Sequence, residues 1–459
     1  MVAGQPHEPF KQIWYTLDGL AIPIDSFSTG IHIESAATDF QFTAADPDLT
    51  ASASRDPLGL EIIWTQFGQR VIPHFSTIST GATNFGVSLT LTWLVDTYLQ
   101  GQGEFVFTDG ERWRAARDGL LVAAETLHIL SSVTVLDDYS RLLGNYKGKG
   151  RLSNDPDPMV GPFESDALLT RQLSLGVNGR YRQPLTSMGL LNERGWVDSP
   201  DEISSIVAEC SQLEGLRDSV FSFFDAMREA DDHRAALSEF GGVEQMAAVR
   251  GPQARKSFAP VLLDNAGISP ESDELIAHVY RNLELPYRGA EHARDIFYGL
   301  AESDDLDEDQ LRRVQDVCRV EEILLRFQAL FDQLWTGGID RLASRRVIEQ
   351  LQERSGALQA LMHRPGLSNI ARQRLRGLIR VLEASSAEDV VRRLVRDYHR
   401  DTIADYRGNA EWVTFEGDRV VILNNGHSPP EDPLEHLDWS RTYYVPALAT
   451  FKTEIQEVM

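Results

Sequence analysis

The residues best suited to chemistry in this chain are arginines concentrated in one segment. Residues 341–400 hold 13 arginines, no lysine and six acidic residues, a net charge of +7, whereas the 459-residue chain as a whole carries −25. Arginine binds phosphate and carboxylate groups through paired N–H donors and stays charged at physiological pH. The segment therefore predicts a surface that binds nucleic acid or an acidic protein partner.

Spacing selects the residues that we expect to make this contact. Arg372, Arg376 and Arg380 recur at every fourth position, so they share one face of a helix. The predicted binding residues of the segment are Arg372, Arg374, Arg376, Arg380, Arg392, Arg393 and Arg396. The alternative is a solvated helix face whose arginines pair with nearby acids.

A second, smaller basic feature lies around Lys147 and Lys149, which alternate with glycines. Residues 144–163 are predicted to form a loop because they are rich in glycine and proline. The loop lacks the Gly-Lys-Ser/Thr ending of a nucleotide-binding phosphate loop. It is therefore either a flexible linker or a place where the two lysines contact phosphate.

Known catalytic motifs are missing from the sequence. There is no phosphate loop and no Gly-x-Ser-x-Gly, and Gly101-Gln102-Gly103 has Val106 where a dinucleotide fingerprint needs a third glycine. Two cysteines cannot build a cysteine-rich zinc site. His278 and His292, with Asp295, lie too far apart in sequence for ligands on one helix. We predict no metal, no cofactor and a binding role.

Composition places the chain among folded proteins of a reducing cytoplasm. Hydrophobic residues make up 42% and charged residues 25%, as in ordinary globular proteins. No run of 18 apolar residues and no basic-then-apolar start are visible, so we expect neither a membrane span nor a secretory signal. Cys210 and Cys318 are too few for a disulfide framework.

The balance of charged residues predicts a source that lives in salt. Five lysines stand beside 39 arginines and 69 acidic residues. Surface carboxylates stay hydrated at high salt, and the salt screens their mutual repulsion. A halophilic archaeon is one interpretation, and an arginine-rich protein from a GC-rich genome is the other.

Periodicity predicts a mainly α protein, a multi-helix body with a loop- and strand-rich N-terminal segment and a C-terminal β-hairpin. Four parts are expected, two of them with modules that resemble winged helices. They are an irregular or strand-containing arm over 1–55, an N-terminal helical domain over 56–198, a central helical domain over 199–340, and a basic helical domain with the hairpin over 341–459.

Individual elements can be placed more closely. A helix is predicted over Leu58–Val71, and the clearest one starts near Asp304 and ends at Gly337-Gly338. The hairpin pairs residues 412–415 with 420–423. Short strands are predicted at 31–33 and 40–42.

Three stretches resemble a known group of proteins. They are Arg55–Leu60 with Val71-Ile72-Pro73, Thr80–Asn84 and Trp93-Leu94; Gly179–Leu185 with Met188–Leu191; and Arg441–Tyr444 with Ala447-Leu448. Together they are similar to an uncharacterised group of prokaryotic proteins of anti-phage defence islands, found beside helicases and phospholipase-D-like nucleases. The resemblance implies defence-system partners and assigns no catalytic residue. After Thr83-Asn84 the group has an arginine and aromatic residues, where this chain has Phe85–Ser88.

The same stretches also have an interpretation as packing. Asp56-Pro57 suits the start of a helix, and Gly59 and Gly189 suit turns. Tyr181 and Leu190-Leu191 suit the core of a small helical module.

These observations favour one function and leave two others open. The leading hypothesis is a non-catalytic subunit of a multi-protein anti-phage complex. It would engage DNA, or an ATPase, helicase or nuclease partner, through the basic helices. The alternatives are a metal-dependent nuclease whose site is built from dispersed carboxylates, and a scaffold that binds only protein.

Overall fold

The computed structural model is mainly helical, which confirms the predicted fold class. It describes residues 14–17, 20–23, 56–102, 110–139, 141–335, 341–402, 411–416, 419–423, 433–434 and 437–459. In this part of the chain, 18 helices are joined by few strands, among them a C-terminal antiparallel hairpin. The strands predicted at 31–33 and 40–42 lie outside the described residues.

The chain divides into two compact units. Unit 1 comprises residues 1–36, 76–272 and 450–459, and unit 2 comprises residues 37–75 and 273–449. Their borders differ from those of the four predicted parts, which stay a prediction about domain organisation.

Unit 1 is built around two long apolar helices, Ala82–Gly101 and Gly110–Val135. Its described elements are β1 (Trp14–Leu17), β2 (Leu20–Pro23), α2 (Ala82–Gly101), α3 (Gly110–Val135), α4 (Asn145–Asn154), β3 (Met159–Val160), α5 (Gln172–Leu175), α6 (Val177–Ser187), α7 (Pro200–Glu209), α8 (Leu216–Glu229), β4 (Ala235–Ala236), α9 (Val243–Ala248) and α10 (Pro252–Asn265). Strand β1 pairs antiparallel with β2, and β3 with β4. Part of α3, Trp113–Val135, is long and apolar enough to cross a membrane, but 78% of its most apolar stretch is buried inside the protein.

The predicted loop at 144–163 is wrong for its first half, because Asn145–Asn154 form helix α4. Gly144 begins the helix with φ +81°, a conformation that favours glycine. Gly148 then lies so close to α3 that a Cβ atom there would stand 2.8 Å from Ile129 Cγ2. Glycines that indicate a loop by composition here allow two helices to approach closely.

Unit 2 is centred on one long helix. Its described elements are α1 (Glu61–Gln69), α11 (Leu275–Asn282), α12 (Ala290–Ala301), α13 (Glu308–Trp335), α14 (Arg341–Glu353), α15 (Ser355–Met362), α16 (Asn369–Leu382), α17 (Ala387–Arg393), a π-helix (Leu394–His399), β5 (Val413–Glu416) and β6 (Arg419–Ile422). The border between the units runs through the last helix, α18 (Val445–Gln456). The predicted long helix is confirmed as α13, which has 28 residues.

The predicted helix at Leu58–Val71 is shorter in the structure, where α1 begins at Glu61. Gly59 has φ +60°, which interrupts a right-handed helix. The Asp56 carboxylate then accepts hydrogen bonds from the backbone N–H groups of Leu60 (2.9 Å) and Glu61 (2.8 Å). Asp56 therefore caps the start of the helix from five residues before Glu61, as its pairing with Pro57 suggested.

The predicted C-terminal hairpin is confirmed with a shift of one residue. Strand β5 pairs with β6 in the register Val413 to Ile422 and Glu416 to Arg419. A buried histidine holds the base of the hairpin: His399 Nδ1 donates to the Pro57 carbonyl (2.9 Å), and its Nε2 accepts from the Trp412 N–H (3.1 Å). Both ring nitrogens are used for structure.

Candidate nucleic-acid interface

Helix α16 carries the arginines with helical spacing and presents them outward. The Ser368 side chain caps its first turn by accepting from the Ala371 N–H (3.2 Å). Leucine and isoleucine side chains, among them Leu375 and Leu378, bury the opposite face. Arg376 and Arg380 are exposed, and Arg372 is half-buried.

Arg374 does not share this surface, although it stands between two residues that do. Its side chain is 4% exposed, and its Nη1 donates to Thr402 Oγ1 at 2.9 Å. It also lies close to the Gly59 turn, where a Cβ atom would approach its Nε to 3.3 Å. Arg374 therefore holds elements of unit 2 together and is not available to a partner.

The second predicted cluster continues the surface on the next helix. The Ser386 hydroxyl accepts from the Asp389 N–H (3.1 Å) at the start of α17. Arg393 reaches back to α16, where its Nη1 donates to the Arg380 carbonyl (3.1 Å). This bond places the Arg393 guanidinium group beside the backbone of Arg380 at the end of α16, and both side chains are exposed. Arg396 is exposed one turn further on.

The hairpin supplies an aromatic ring to the same surface. The guanidinium carbons of Arg392 and Arg396 lie 5.5 Å and 5.4 Å from the centre of the Phe415 ring, within cation–π range. Arg392 also pairs with Glu388 at 2.7 Å, so its charge is largely used within the protein. Sequence reasoning missed Phe415, because only the fold shows that the hairpin strand lies beside the basic helices.

We call five residues of this surface the arginine track: half-buried Arg372 and exposed Arg376, Arg380, Arg393 and Arg396. In the described part of the chain, no carboxylate lies within 4.0 Å of Arg376, Arg380 or Arg393. Some other arginines of the basic segment are paired, as Arg345 is with Glu349 (3.2 Å). Three guanidinium groups of the track therefore keep their charge open to an external anion.

Lys147 and Lys149 lie in unit 1, on the exposed side of α4. The tight approach of Gly148 to Ile129 turns both lysines, together with the 87% exposed ring of Tyr146, toward solvent. Four basic residues and no acid lie between residues 140 and 154. This is a smaller basic patch than the arginine track, and it is built on one helix.

The described residues offer little that resembles a reaction centre. Among them, no group of three or more His, Cys, Asp or Glu side chains is placed to hold a metal ion. A cavity of about 10 Å³ in unit 1, lined by Asn84, Glu125, His128 and Arg250 among others, has room for about one water molecule. Cys210 and Cys318 are free thiols.

The stretches that carry the family resemblance meet inside each unit. In unit 1, the Tyr181 hydroxyl accepts from the N–H groups of Thr80 (3.0 Å) and Gly81 (3.4 Å) at the start of α2. In unit 2, Arg441 pairs with Glu61 (2.9 Å) on α1. Tyr181, Leu190 and Leu191 are 1%, 5% and 3% exposed, which confirms their prediction as core.

Comparison of the chain with protein-family models, with curated proteins and with solved structures finds no match.

Proposed function

We propose that this chain is a non-catalytic, cytoplasmic subunit of a prokaryotic anti-phage defence assembly, and that it binds duplex DNA through the arginine track of unit 2. The observation that carries the proposal is the set of three exposed guanidinium groups without a nearby carboxylate, at Arg376, Arg380 and Arg393, in a chain of net charge −25. The partners would be a helicase, another ATPase or a nuclease of the same system.

The spacing of the track suits the backbone of a duplex. At a rise of about 1.5 Å per residue, Arg372 and Arg380 are about 12 Å apart along α16. Each DNA strand carries one phosphate per about 3.4 Å of helix axis, so this length faces three to four base pairs. Arg393 and Arg396 widen the contact on the neighbouring helix.

Charge elsewhere in the chain supports a single, oriented contact. The residues outside 341–400 carry −32 together, and they repel a polyanion. DNA would therefore approach the basic segment alone. Contacts of this kind go to phosphates, so they position the protein and do not read sequence.

The defence assignment is supported by the resemblance of the three stretches alone. A subunit that binds DNA without cutting it fits the neighbourhood of helicases and nucleases that the resemblance implies. The nuclease alternative is separated by incubating the protein with DNA and Mg²⁺ or Mn²⁺, since cleavage that stops on chelation would assign it an active site.

The test is the affinity of the purified full chain for duplex DNA, measured by fluorescence anisotropy at low salt. The variant R376Q/R380Q/R393Q removes the three open charges of the track. The control R217Q/R288Q/R345Q removes three exposed arginines that each have an acidic neighbour: Asp218, Glu284 and Glu349. Both variants change the net charge equally.

We expect the track variant to bind at least about tenfold more weakly than wild type, because charge-assisted hydrogen bonds contribute about 1.5–3 kcal/mol each. The control should stay within about twofold of wild type, since distant charges are screened. Equal losses in both variants would show that only net charge matters. If wild type does not bind DNA, the proposal that the track binds DNA is wrong. An acidic protein is then the partner expected for the track.

A further inference from the structure

A buried aspartate of unit 2 is surrounded by arginines. Asp316 lies on α13, is 0% exposed, and faces three guanidinium groups. Their nitrogens approach its carboxylate oxygens as follows: Arg364 Nε at 2.7 Å and Nη2 at 2.8 Å, Arg70 Nη1 at 3.4 Å, and Arg319 Nη1 at 3.6 Å. One carboxylate is thus shared by three cations.

The three arginines come from different elements, so the fold assembles the cluster. Arg319 is one turn beyond Asp316 on α13, Arg70 follows the end of α1, and Arg364 follows the end of α15. The side chains of Arg319, Arg70 and Arg364 are 47%, 16% and 22% exposed, so solvent reaches the guanidinium groups although Asp316 is buried. Burial is the main cause that lowers the pKa of Arg70, and the nearby Arg313 and Arg364 add to it. The site therefore holds more positive charge than its own carboxylate balances.

The cluster is continuous with the arginine track. Arg372, the first residue of the track, donates from its Nη2 to the Arg364 carbonyl at 3.3 Å. Arg364 therefore links the two features: its side chain faces Asp316 and its carbonyl accepts from the first residue of the track. The sequence did not indicate Arg70, Arg319 or Arg364 as a group. Arg70 and Arg364 lie 246 and 48 residues from Asp316, and only the fold brings them to it.

We propose that this Asp316 cluster is a pocket for one phosphate group, in which Asp316 is a positioning residue that orients the arginines. Three guanidinium groups and one carboxylate leave two positive charges. A terminal phosphate monoester carries about −1.5 to −2 at neutral pH, whereas a phosphodiester carries −1. The charge match therefore favours a terminal phosphate. Guanidinium N–H groups that do not face Asp316 supply the donors.

Two ligands carry such a phosphate group: free phosphate and the 5′-phosphate of a DNA end. Binding of the DNA end rests on the proposed function. The experiment therefore has two arms. Inorganic phosphate is titrated into the full chain by calorimetry. Short duplexes with a 5′-phosphate or a 5′-hydroxyl are compared by anisotropy, and the ratio of their dissociation constants reports the pocket alone.

The variant D316N separates orientation from charge. It makes the protein more positive, so simple electrostatics predicts tighter binding of phosphate, whereas loss of orientation predicts weaker binding. The control D397N makes the same change in charge at an exposed residue of the π-helix. We expect wild type to prefer the 5′-phosphate by about tenfold, D397N to keep the preference and D316N to lose it.

Because D316N removes a partner of buried charges, unit 2 can lose stability in it. The variant R319Q covers this case, since Arg319 is nearly half exposed and its removal leaves Arg70 and Arg364 in place. R319Q should reduce the 5′-phosphate preference several-fold and leave the affinity for the 5′-hydroxyl duplex unchanged.

Two results would overturn the pocket. One is wild type that binds neither inorganic phosphate nor 5′-phosphate in preference to 5′-hydroxyl DNA, which would make the cluster purely structural. The other is a preference that R319Q leaves intact. Failure of the proposed function has a different signature: phosphate binds and responds to R319Q, while the affinity for duplex DNA does not respond to the track variant.

Discussion

Two buried carboxylates, Glu125 in unit 1 and Asp316 in unit 2, are neutralised in opposite ways. Glu125 on α3 of unit 1 is 2% exposed and accepts from the Val177 N–H at 2.6 Å. Among the described residues, no cation lies within 4.0 Å of it, and burial raises its pKa to about 8. Asp316 of unit 2 is equally buried, but three arginines surround it.

The difference shows which arginines of this protein neutralise a buried carboxylate and which do not. Unit 1 neutralises Glu125 with a proton, and it keeps the adjacent His128 neutral as well, since burial lowers the pKa of that imidazole to about 3. In unit 2, three guanidinium groups neutralise buried Asp316, and other arginines remain at the surface without a carboxylate partner. On the proposed function, the arginines that have no carboxylate partner, and not the total number of arginines, would make the arginine track a binding surface. Unit 1 is not free of ion pairs, because Arg117 pairs with buried Asp96 at 2.6 Å.

The largest expected effect is a pH dependence of stability that comes from Glu125. Its folded pKa of about 8 lies above the usual value of 4.5, so the proton stabilises the fold below about pH 4.5. This stability is lost as the pH rises to about 8, by up to about 5 kcal/mol. E125Q imitates the protonated form. The free energy of unfolding of E125Q relative to wild type, from urea titrations, should rise between these pH values.

The difference in free energy of unfolding between E125Q and wild type separates the titration of Glu125 from that of His128. The imidazole has a lowered folded pKa, so its contribution is present above pH 6.5 and is lost as the pH falls, opposite in sign to that of Glu125. His128 is unchanged in both proteins and cancels. A difference that stays flat from pH 4.5 to pH 8 would mean that Glu125 is ionised in the folded state.

The next effect separates two arginines of one helix. R374A removes a buried side chain and its bond to Thr402, and should lower the free energy of unfolding by about 2–4 kcal/mol. R376A, two residues away and exposed, should change it by less than about 0.5 kcal/mol. Urea denaturation checks both variants. Similar losses would place the two side chains in similar surroundings and contradict the inward position of Arg374.

The third prediction is that a Glu-to-Gln change at Glu321 alters the free energy of unfolding in the opposite direction to E125Q. Glu321 of unit 2 is buried and accepts from the backbone N–H groups of Ser440 (2.7 Å) and Arg441 (3.0 Å) and from the Tyr443 hydroxyl (2.7 Å). In E321Q, the amide oxygen can keep the two backbone N–H groups, but the NH₂ group then faces the Tyr443 hydroxyl, which must accept where it donated before, and every hydrogen bond to this side chain loses its charge assistance. The variant should be destabilised by about 1–3 kcal/mol at neutral pH, where E125Q is stabilised. If E321Q and E125Q were both stabilised, Glu321 and Glu125 would not differ in how the fold accommodates their charge.

The smallest effect concerns the basic patch of unit 1. K147Q/K149Q removes two exposed ammonium groups that stand on a single helix, so we expect the affinity for duplex DNA to fall by no more than about threefold. Anisotropy under the conditions used for the track variant measures it. A loss as large as that of R376Q/R380Q/R393Q would make α4 an equal partner in binding.

The sequence predicted the elements of this fold better than it predicted which arginines are exposed. Helix α13 and the hairpin follow from apolar periodicity, which is a local property. Whether the Arg374 side chain is buried depends on Thr402 and on the Gly59 turn, which are far from it in the chain. Helix α4 was missed because Gly148 indicates a loop by composition and fits a close helix contact only once Ile129 is in place. The Asp316 cluster depends in the same way on three separate elements.

The central claim is tested most directly by the salt dependence of duplex binding for wild type, R376Q/R380Q/R393Q and the charge-matched control. Each phosphate contact contributes about 0.9 to the slope of log K against log salt. We expect the slope of the track variant to be shallower by roughly 2.7 than that of wild type, and the control to keep the wild-type slope. Equal slopes for all three proteins would contradict it.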